Sequence, residues 1–528
     1  MSNTFDFKGS GLLDPPKPPE NYVSTYHQPY ISPTPGRFPL MAIGNSREPS
    51  IAEEEYLTKH YLTEIADLEM DADQMIQYPC LDPSLPTDRQ PMMYSVDNCN
   101  ATGIAQILRI WGLEYPVIPK KGNLEPPEFY DIKLKNVYKE ESESGEMFLE
   151  RWKNSIDLVW KYRSICACQL KDEPNTRDFK WLARAKDEIL RIDKWNPLVF
   201  SNLLPINATA QQLTGDERGF VRPNITCTYD EYLKTYQDIV KPGVWCVDTY
   251  LLSNQPIGTK FNHNFFDTLT AIREVAINND RPFWSTIRCL YGIQNKSDLL
   301  KDNYGLTAPM AKKLGTIMRL EVYSALALGA QGLMFWSMVS RSSMNQLWAP
   351  FMYPLTPSAK KRITELLEED SESVDNQINE ILSKRDNFDT STLIMSRLYP
   401  ELQNLISNIR KYESYFLNMV TDAIYVAGDK KINEIHLQNF NGVLGAITSI
   451  KTQGCVVASY LKGYPYETYV IINMDIEKSC DVELTFRQDH SLKDQMAEED
   501  VSFGNSLKFT LQVGDWRILT TKEQTVLH

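Results

Sequence analysis

Between residues 38 and 339 short apolar runs alternate with longer amphipathic stretches, and this repetition restricts the chain to a small set of α/β folds. FPLMAIG (38–44) predicts a strand and IAEEEYLTKHYLTEIADLE (51–69) the helix after it. ADQMIQYP (72–79) predicts a second strand, CNATGIAQILRIWGLE (99–114) a helix, YPVIP (115–119) a third strand and MFLERWKNSIDLVWKYR (147–163) its helix. ICACQL (165–170) is the fourth strand, followed by a helix over DFKWLARAKDEILRID (178–193) with Thr176 as its N-cap. LVFSNLLP (198–205), GVWCVDTY (243–250), PFWSTIRCL (282–290) and QGLMFWSMV (331–339) read as strands five to eight, with helices between them at 230–240, 265–280 and 310–330.

Eight such units in about 300 residues match a (β/α)8 TIM barrel. An open doubly wound sheet is the alternative, but no strand is followed by GxGxxG or a P-loop, so the usual nucleotide signatures are missing. Past residue 340 the text changes. SAKKRITELLEEDSESVDNQINEILSKRDN (358–387) is highly charged and reads as a solvated helical insertion near 354–395, and ELQNLISNIRKYESYFLN (401–418) as an amphipathic closing helix. From about 423 to 522 short alternating runs such as GCVVASYL, TYVIINMD and CDVELTFR predict some seven strands of an all-β sandwich. The expected fold class is therefore α/β, a TIM barrel followed by a C-terminal β-sandwich. Its expected parts are an extended, Pro-rich segment over 1–36, the barrel over 37–420 and the sandwich over 421–528.

The formal net charge of -14 argues against nucleic acid or an anionic membrane surface as partner, and a neutral ligand fits better. No run of apolar residues is long enough to span a membrane, and the first residues lack the apolar core of a secretory signal. The 9 Cys are scattered without CxxC pairs and read as mostly free thiols, while the 6 His are dispersed, so neither a metal nor an organic cofactor is expected. Oligomeric state has no signature in the sequence.

Catalytic groups of a barrel sit at the C-terminal ends of its strands. Strand four ends in Lys171, Asp172, Glu173 and Pro174; period two puts Ala167, Gln169, Lys171 and Glu173 toward the barrel axis, and Cys166, Cys168 and Leu170 toward the helices. Pro174 stops the strand and restricts the carboxylate before it. Asp172 beside Glu173 is expected to raise one pKa of the pair, which is what a general acid needs. The same two residues also suit a helix N-terminal cap. Strand six ends in Asp248 and Tyr250 on one face, strand seven offers Trp284, Thr286 and Arg288, strand eight Phe335 or Trp336, strand one Arg47 and Glu48, and strand two Tyr78 and Asp82. Carboxylates among Trp and Tyr suit a carbohydrate, whose C–H faces stack on rings while its hydroxyls bond to acids and amides, although packing accounts for any single aromatic.

The strand-four DEP, the VDTY of strand six, RPFWSTIRCLYG in strand seven and LEVYSALALGAQGLMFWSM entering strand eight together resemble glycoside hydrolases with a (β/α)8 barrel and a C-terminal β-sandwich, of the type common in carbohydrate-degrading bacteria. The resemblance covers roughly residues 37 to 525. It implies a carbohydrate substrate and, had a leader been removed, a periplasmic or extracellular setting. It also implies an acid/base glutamate at the end of strand four, which Glu173 matches, and a nucleophile glutamate at the end of strand seven, where STIRCLYG holds no carboxylate.

Three resolutions are open. Asp248 is the second carboxylate, as nucleophile at roughly 5–5.5 Å from Glu173 or as base at roughly 6.5–9.5 Å. Alternatively Asp172 and Glu173 act as the pair of a substrate-assisted hexosaminidase, an adjacency followed by Pro that resembles one family of β-N-acetylgalactosaminidases. In the third, the barrel is a non-catalytic glycan-binding protein. The expected function is a glycoside hydrolase with Glu173 as general acid assisted by Asp172 or Asp248, and with Tyr250, Trp284, Arg288, Trp336, Glu48 and Tyr78 contacting substrate. A purely structural barrel, its mouth filled by the loop at 206–226, is a further alternative. Glu321 reads as structural, and Tyr460, Tyr464 and Tyr466 as a candidate accessory sugar surface on the sandwich.

Overall fold

The computed structural model describes residues 37–43, 61–74, 76–77, 102, 104–110, 132–135, 140–143, 165–191, 198–215, 226–252, 261–293, 295–340, 347–369, 373–389, 392–417, 419–429, 435–463, 467–487, 491–497, 499–502 and 505–521. Its parallel strands are β1 (Leu40–Ile43), β2 (Ala72–Gln74), β3 (Ile76–Gln77) and β4 (Ala105–Ile110). A hairpin of β5 (Ile132–Lys135) and β6 (Glu140–Glu143) follows. The parallel strands resume with β7 (Ile165–Asp172), β8 (Leu198–Leu203), β9 (Trp245–Val247), β10 (Phe283–Arg288) and β11 (Leu333–Trp336). The fold is a (β/α)8 TIM barrel followed by a C-terminal β-sandwich. Two compact units divide the chain, one of Met1–Ser10 with Ser46–Asp248 and the other of Gly11–Asn45 with Thr249–His528.

In the first unit β2 and β3 both pair in parallel with β4, β4 with β7, β7 with β8 and β8 with β9. The third strand position is thus AQILRI, inside the segment whose spacing predicts a helix. Ile104, Ile107 and Leu108 do recur at helical intervals, but strands bonded along both edges satisfy the backbone of this run and bury Ala105 and Ile107 completely. The expected strand at 115–119 and the helix at 147–163 lie outside the described residues. Helix α1 (Phe179–Leu190) packs on α3 (Tyr229–Ile239), with the Phe179 ring 5.4 Å from Tyr232 and 5.1 Å from Tyr236. Helix α2 (Ala210–Thr214) occupies the expected 206–226 loop. Each of α2 and α3 begins with a reciprocal capping box, Thr209 with Gln212 and Thr228 with Glu231, which accounts for their sharp starts.

In the second unit β11 pairs in parallel with both β10 and β1, in a register that sets Trp336 opposite Arg288 and Ile43. Its helices are α4 (Asn264–Asn278), α5 (Ala308–Ala327), α6 (Pro357–Leu367), α7 (Val374–Ser383) and α8 (Tyr399–Tyr412), and β12 (Phe351–Met352) pairs with β13 (Ile394–Met395). The charged stretch is helical in α6 and α7, each of which turns a few apolar residues inward, Ile363 and Ile378 among them. A buried clamp fixes the chain entering β1: Arg410 donates to the Phe38 carbonyl at 2.8 Å and to Glu413 at 2.7 Å, while Glu413 accepts from the Phe38 N–H at 3.2 Å.

The sandwich strands are β14 (Val420–Gly428), β15 (Ile447–Thr452), β16 (Cys455–Lys462), β17 (Thr468–Asn473), β18 (Cys480–Phe486), β19 (Ser491–Asp494), β20 (Glu499–Ser502), β21 (Ser506–Leu511) and β22 (Trp516–Thr521). They form a six-stranded sheet in the order β14-β16-β17-β22-β19-β20 and a three-stranded sheet β15-β18-β21, two strands more than the turn spacing suggests. Strand β18 alternates buried and exposed residues, whereas β16 and β17 are buried on both faces because helix α5 covers the far side of their sheet. There Ser459 donates to the Ala327 carbonyl at 2.8 Å, and the Tyr323 ring stacks on Trp516 at 3.8 Å. Tyr460, expected on an accessory surface, is instead buried and stacks on Tyr469 at 4.8 Å, because its β16 side chain faces the core between the sheets. Tyr464 and Tyr466 lie outside the described residues. Among the described residues six cysteines are free, and no helix is long and apolar enough to cross a membrane.

Candidate active site

The end of β7 departs from regular strand geometry. The register of β7 against β8 shifts between Gln169 and Asp172, and Glu173 follows with φ at 47°, in the left-handed region that a side chain with a Cβ occupies at a cost of roughly 1–2 kcal/mol. Glu173 is exposed and Asp172 partly buried. Asn202, near the end of β8, holds both: its carbonyl accepts from the Glu173 N–H at 2.7 Å and its side-chain amide donates to Asp172 Oδ1 at 3.1 Å. The Cys246 thiol on β9 donates to Asn202 Oδ1 at 3.4 Å, so the amide orientation is itself fixed from the next strand. Asp248, directly after β9, continues this ladder through its N–H to the Leu203 carbonyl at 3.0 Å.

The turn beyond Glu173 is equally defined. Asp178 accepts from Lys171 Nζ at 2.8 Å and from the Asn175 N–H at 2.8 Å, both Lys171 and Asp178 being buried, and Tyr232 donates its hydroxyl to the Pro174 carbonyl at 2.7 Å. Because Asp178 is spent on these contacts, α1 starts at Phe179 without a side-chain cap, and Thr176 is not the N-cap. Asp172 and Glu173 therefore stand clear of the first turn of α1, which removes helix capping as the reason for the acidic pair.

In the second unit the Tyr250 and Trp336 rings stack at 5.7 Å with 28° between planes, and both are partly exposed. The Arg288 guanidinium lies 5.7 Å from the centroids of both Tyr250 and Tyr291. Its Nε donates to the Leu290 carbonyl at 2.9 Å, and the Tyr291 hydroxyl donates to the Arg288 carbonyl at 2.9 Å. Beneath lies Glu321 of α5, buried, with Oε1 accepting from the Arg288 N–H at 2.6 Å and Oε2 from the Leu251 N–H at 3.0 Å. Burial pushes its carboxyl up to about 8, outweighing the two backbone donors and the Arg288 charge, which act to lower it.

Trp284, expected to contact substrate, has no exposed surface: its indole occupies the space a side chain on Gly332 would need, a packing position at the second residue of β10, away from the strand's C-terminal end. Glu48 and Tyr78 lie outside the described residues. Sequence reasoning missed Asn202 as an organiser, although a lone amide inside the apolar run LVFSNLLP is a detectable signal. It also missed Tyr291 as a partner of Arg288, a contact across a turn that has no periodic signature.

No protein-family model matches this sequence, and no curated protein does. Solved structures similar to the chain are glycoside hydrolases. An α-amylase from Geobacillus thermoleovorans shares 10% identity over 92% of this chain and 98% of its own, with a TM-score of 0.48. A GH30 endoxylanase from Clostridium papyrosolvens shares 9% identity over 94% and 97% at a TM-score of 0.38, and a GH27 β-L-arabinopyranosidase from Geobacillus stearothermophilus 10% over 92% and 96% at 0.39. Likeness at this level says nothing of activity or substrate, which rest on the residues themselves.

Proposed function

We propose that this chain is a glycosidase, with Glu173 as the general acid that protonates the leaving-group oxygen and Asp248 as the second carboxylate. The observation that carries the reading is the backbone of Glu173: an exposed glutamate in a left-handed conformation at the end of a parallel barrel strand, where glycine or asparagine is the less costly residue. Strain of this kind persists where the side chain is needed in one position. Within the first unit Asn202, itself oriented by Cys246, fixes Asp172 beside Glu173; in the second unit, taken by itself, the partly exposed Tyr250–Trp336 stack is a face that suits a sugar ring. One observation favours a second reading, in which Asp172 orients a 2-acetamido group that attacks its own anomeric carbon: the Asn202 amide fixes Asp172 Oδ1 beside Glu173.

The test is hydrolysis of aryl glycosides, 2-acetamido sugars included, by the wild type and by Glu173→Gln, Asp172→Asn and Asp248→Asn. Turnover of plain glycosides that Glu173→Gln and Asp248→Asn each lower by about 100-fold or more supports the first reading. Turnover confined to acetamido sugars and lost with Asp172→Asn supports the second. Glycan binding without turnover of any substrate refutes catalysis and leaves a glycan-binding protein.

A further inference from the structure

Glu321 is buried within α5 among mostly apolar side chains, and both its carboxyl oxygens are used, on two different segments of chain. Oε1 takes the N–H of Arg288 at the end of β10, and Oε2 the N–H of Leu251, the residue after Tyr250. The first of these positions carries the Arg288 guanidinium and the second directly follows Tyr250; the guanidinium lies 5.7 Å from the Tyr250 ring centroid, and Trp336 stacks on Tyr250. A packing role alone would be met by leucine, at far smaller desolvation cost than a buried carboxyl.

We propose that Glu321 is a positioning residue, whose carboxyl ties Leu251 to Arg288 and thereby holds Tyr250, Trp336 and Arg288 as one preformed carbohydrate-binding surface. The proposal rests on the glycosidase reading for the identity of the ligand only. The titratable and charged groups facing the carboxyl are Arg288, Cys289 and Tyr291, all from the end of β10 and the turn after it. Glutamine at this position keeps one acceptor oxygen and replaces the other with an N–H2 donor, so one of the two ties is lost while the volume stays the same.

The experiment is amide hydrogen exchange, read by mass spectrometry on peptides covering 249–252, 286–290 and 455–461, in the wild type and in Glu321→Gln. Loss of one buried hydrogen bond of ordinary strength is enough to speed the exchange of its amide roughly tenfold. The expected result is exchange faster by about tenfold in one or both of the first two peptides, with the sandwich peptide 455–461 unchanged. Unchanged exchange in both strand-end peptides overturns the proposal, and so does an equal rise in all three, which marks a general loss of stability. For any glycoside the hydrolysis panel turns over, Glu321→Gln is expected to raise KM with a smaller effect on kcat; a fall in kcat at constant KM overturns it. Should the panel find no substrate, the glycosidase reading fails and the exchange result still decides the role of Glu321.

Discussion

Replacing Glu173 by glycine and, separately, by alanine tests the backbone argument on which the functional reading stands. Both substitutions remove the same side chain beyond Cβ, so whatever the carboxylate contributes cancels between them. What remains is the left-handed conformation at φ 47°. Alanine keeps the Cβ clash of roughly 1–2 kcal/mol, and glycine relieves it but carries an entropic cost of roughly 0.5–1 kcal/mol from its freer unfolded chain. The glycine variant is therefore expected to be more stable than the alanine variant by about 0.5–1 kcal/mol. Urea denaturation followed by far-UV circular dichroism, with the midpoint compared at constant slope, resolves a difference of this size. The N–H of residue 173 keeps its bond to Asn202 in both variants, so the ladder between β7 and β8 is not at issue. If alanine is as stable as glycine or more so, Glu173 is not strained, and the argument that selection holds a costly glutamate there falls with it. Neither variant is expected to turn over a glycoside.

Two further outcomes follow from the buried charges. The Glu321 carboxyl has an ordinary value of 4.5 and is raised to about 8 in the fold, so the folded state binds more protons than the unfolded one between these limits; stability falls by up to about 1.4 kcal/mol per pH unit as pH rises through the window and levels off above it. The stability difference between wild type and Glu321→Gln should shift accordingly between pH 5 and pH 8, and a difference constant across that range refutes the raised value. Glu413→Gln leaves Arg410 buried against Phe38 without its counter-charge and is expected to cost about 3–5 kcal/mol, whereas the paired Arg410→Met, Glu413→Leu change costs much less; thermal unfolding of the single and double variants checks this, and equal losses would show that the pair is not acting as one.

The barrel was legible because its strands are buried on both faces, which leaves continuous apolar runs such as ICACQL and LVFSNL that no amphipathic helix imitates. Among the described residues the element type was reversed at β4, a run whose apolar residues satisfy helical and strand spacing alike, and only hydrogen bonding to β2 and β7 on either edge decided between them. The alternation of β18 made the sandwich legible, while Tyr460 misled because a polar-tipped ring gives no sign of which face of its strand it takes. At the candidate site, the DEP stretch pointed to Glu173 through its position at a strand end. The hold on it by Asn202, and the removal of helix capping as its explanation, depend on contacts 30 residues apart in the chain.

By itself, then, the sequence determined what is local and periodic: which segments extend or coil, where strands stop, and which chemical groups stand at those stops. Hydrophobic spacing and a proline carry that information within a few residues. Tertiary structure alone decided what depends on partners brought from elsewhere: that Asp178 is spent on Lys171 and frees the acidic pair from the helix, that Trp284 is filler against Gly332, and that Glu321 reaches two distant N–H groups. The reason is that a hydrogen bond or an ion pair is fixed by distance and direction in space, and pairings between distant residues leave no period in the chain that makes them.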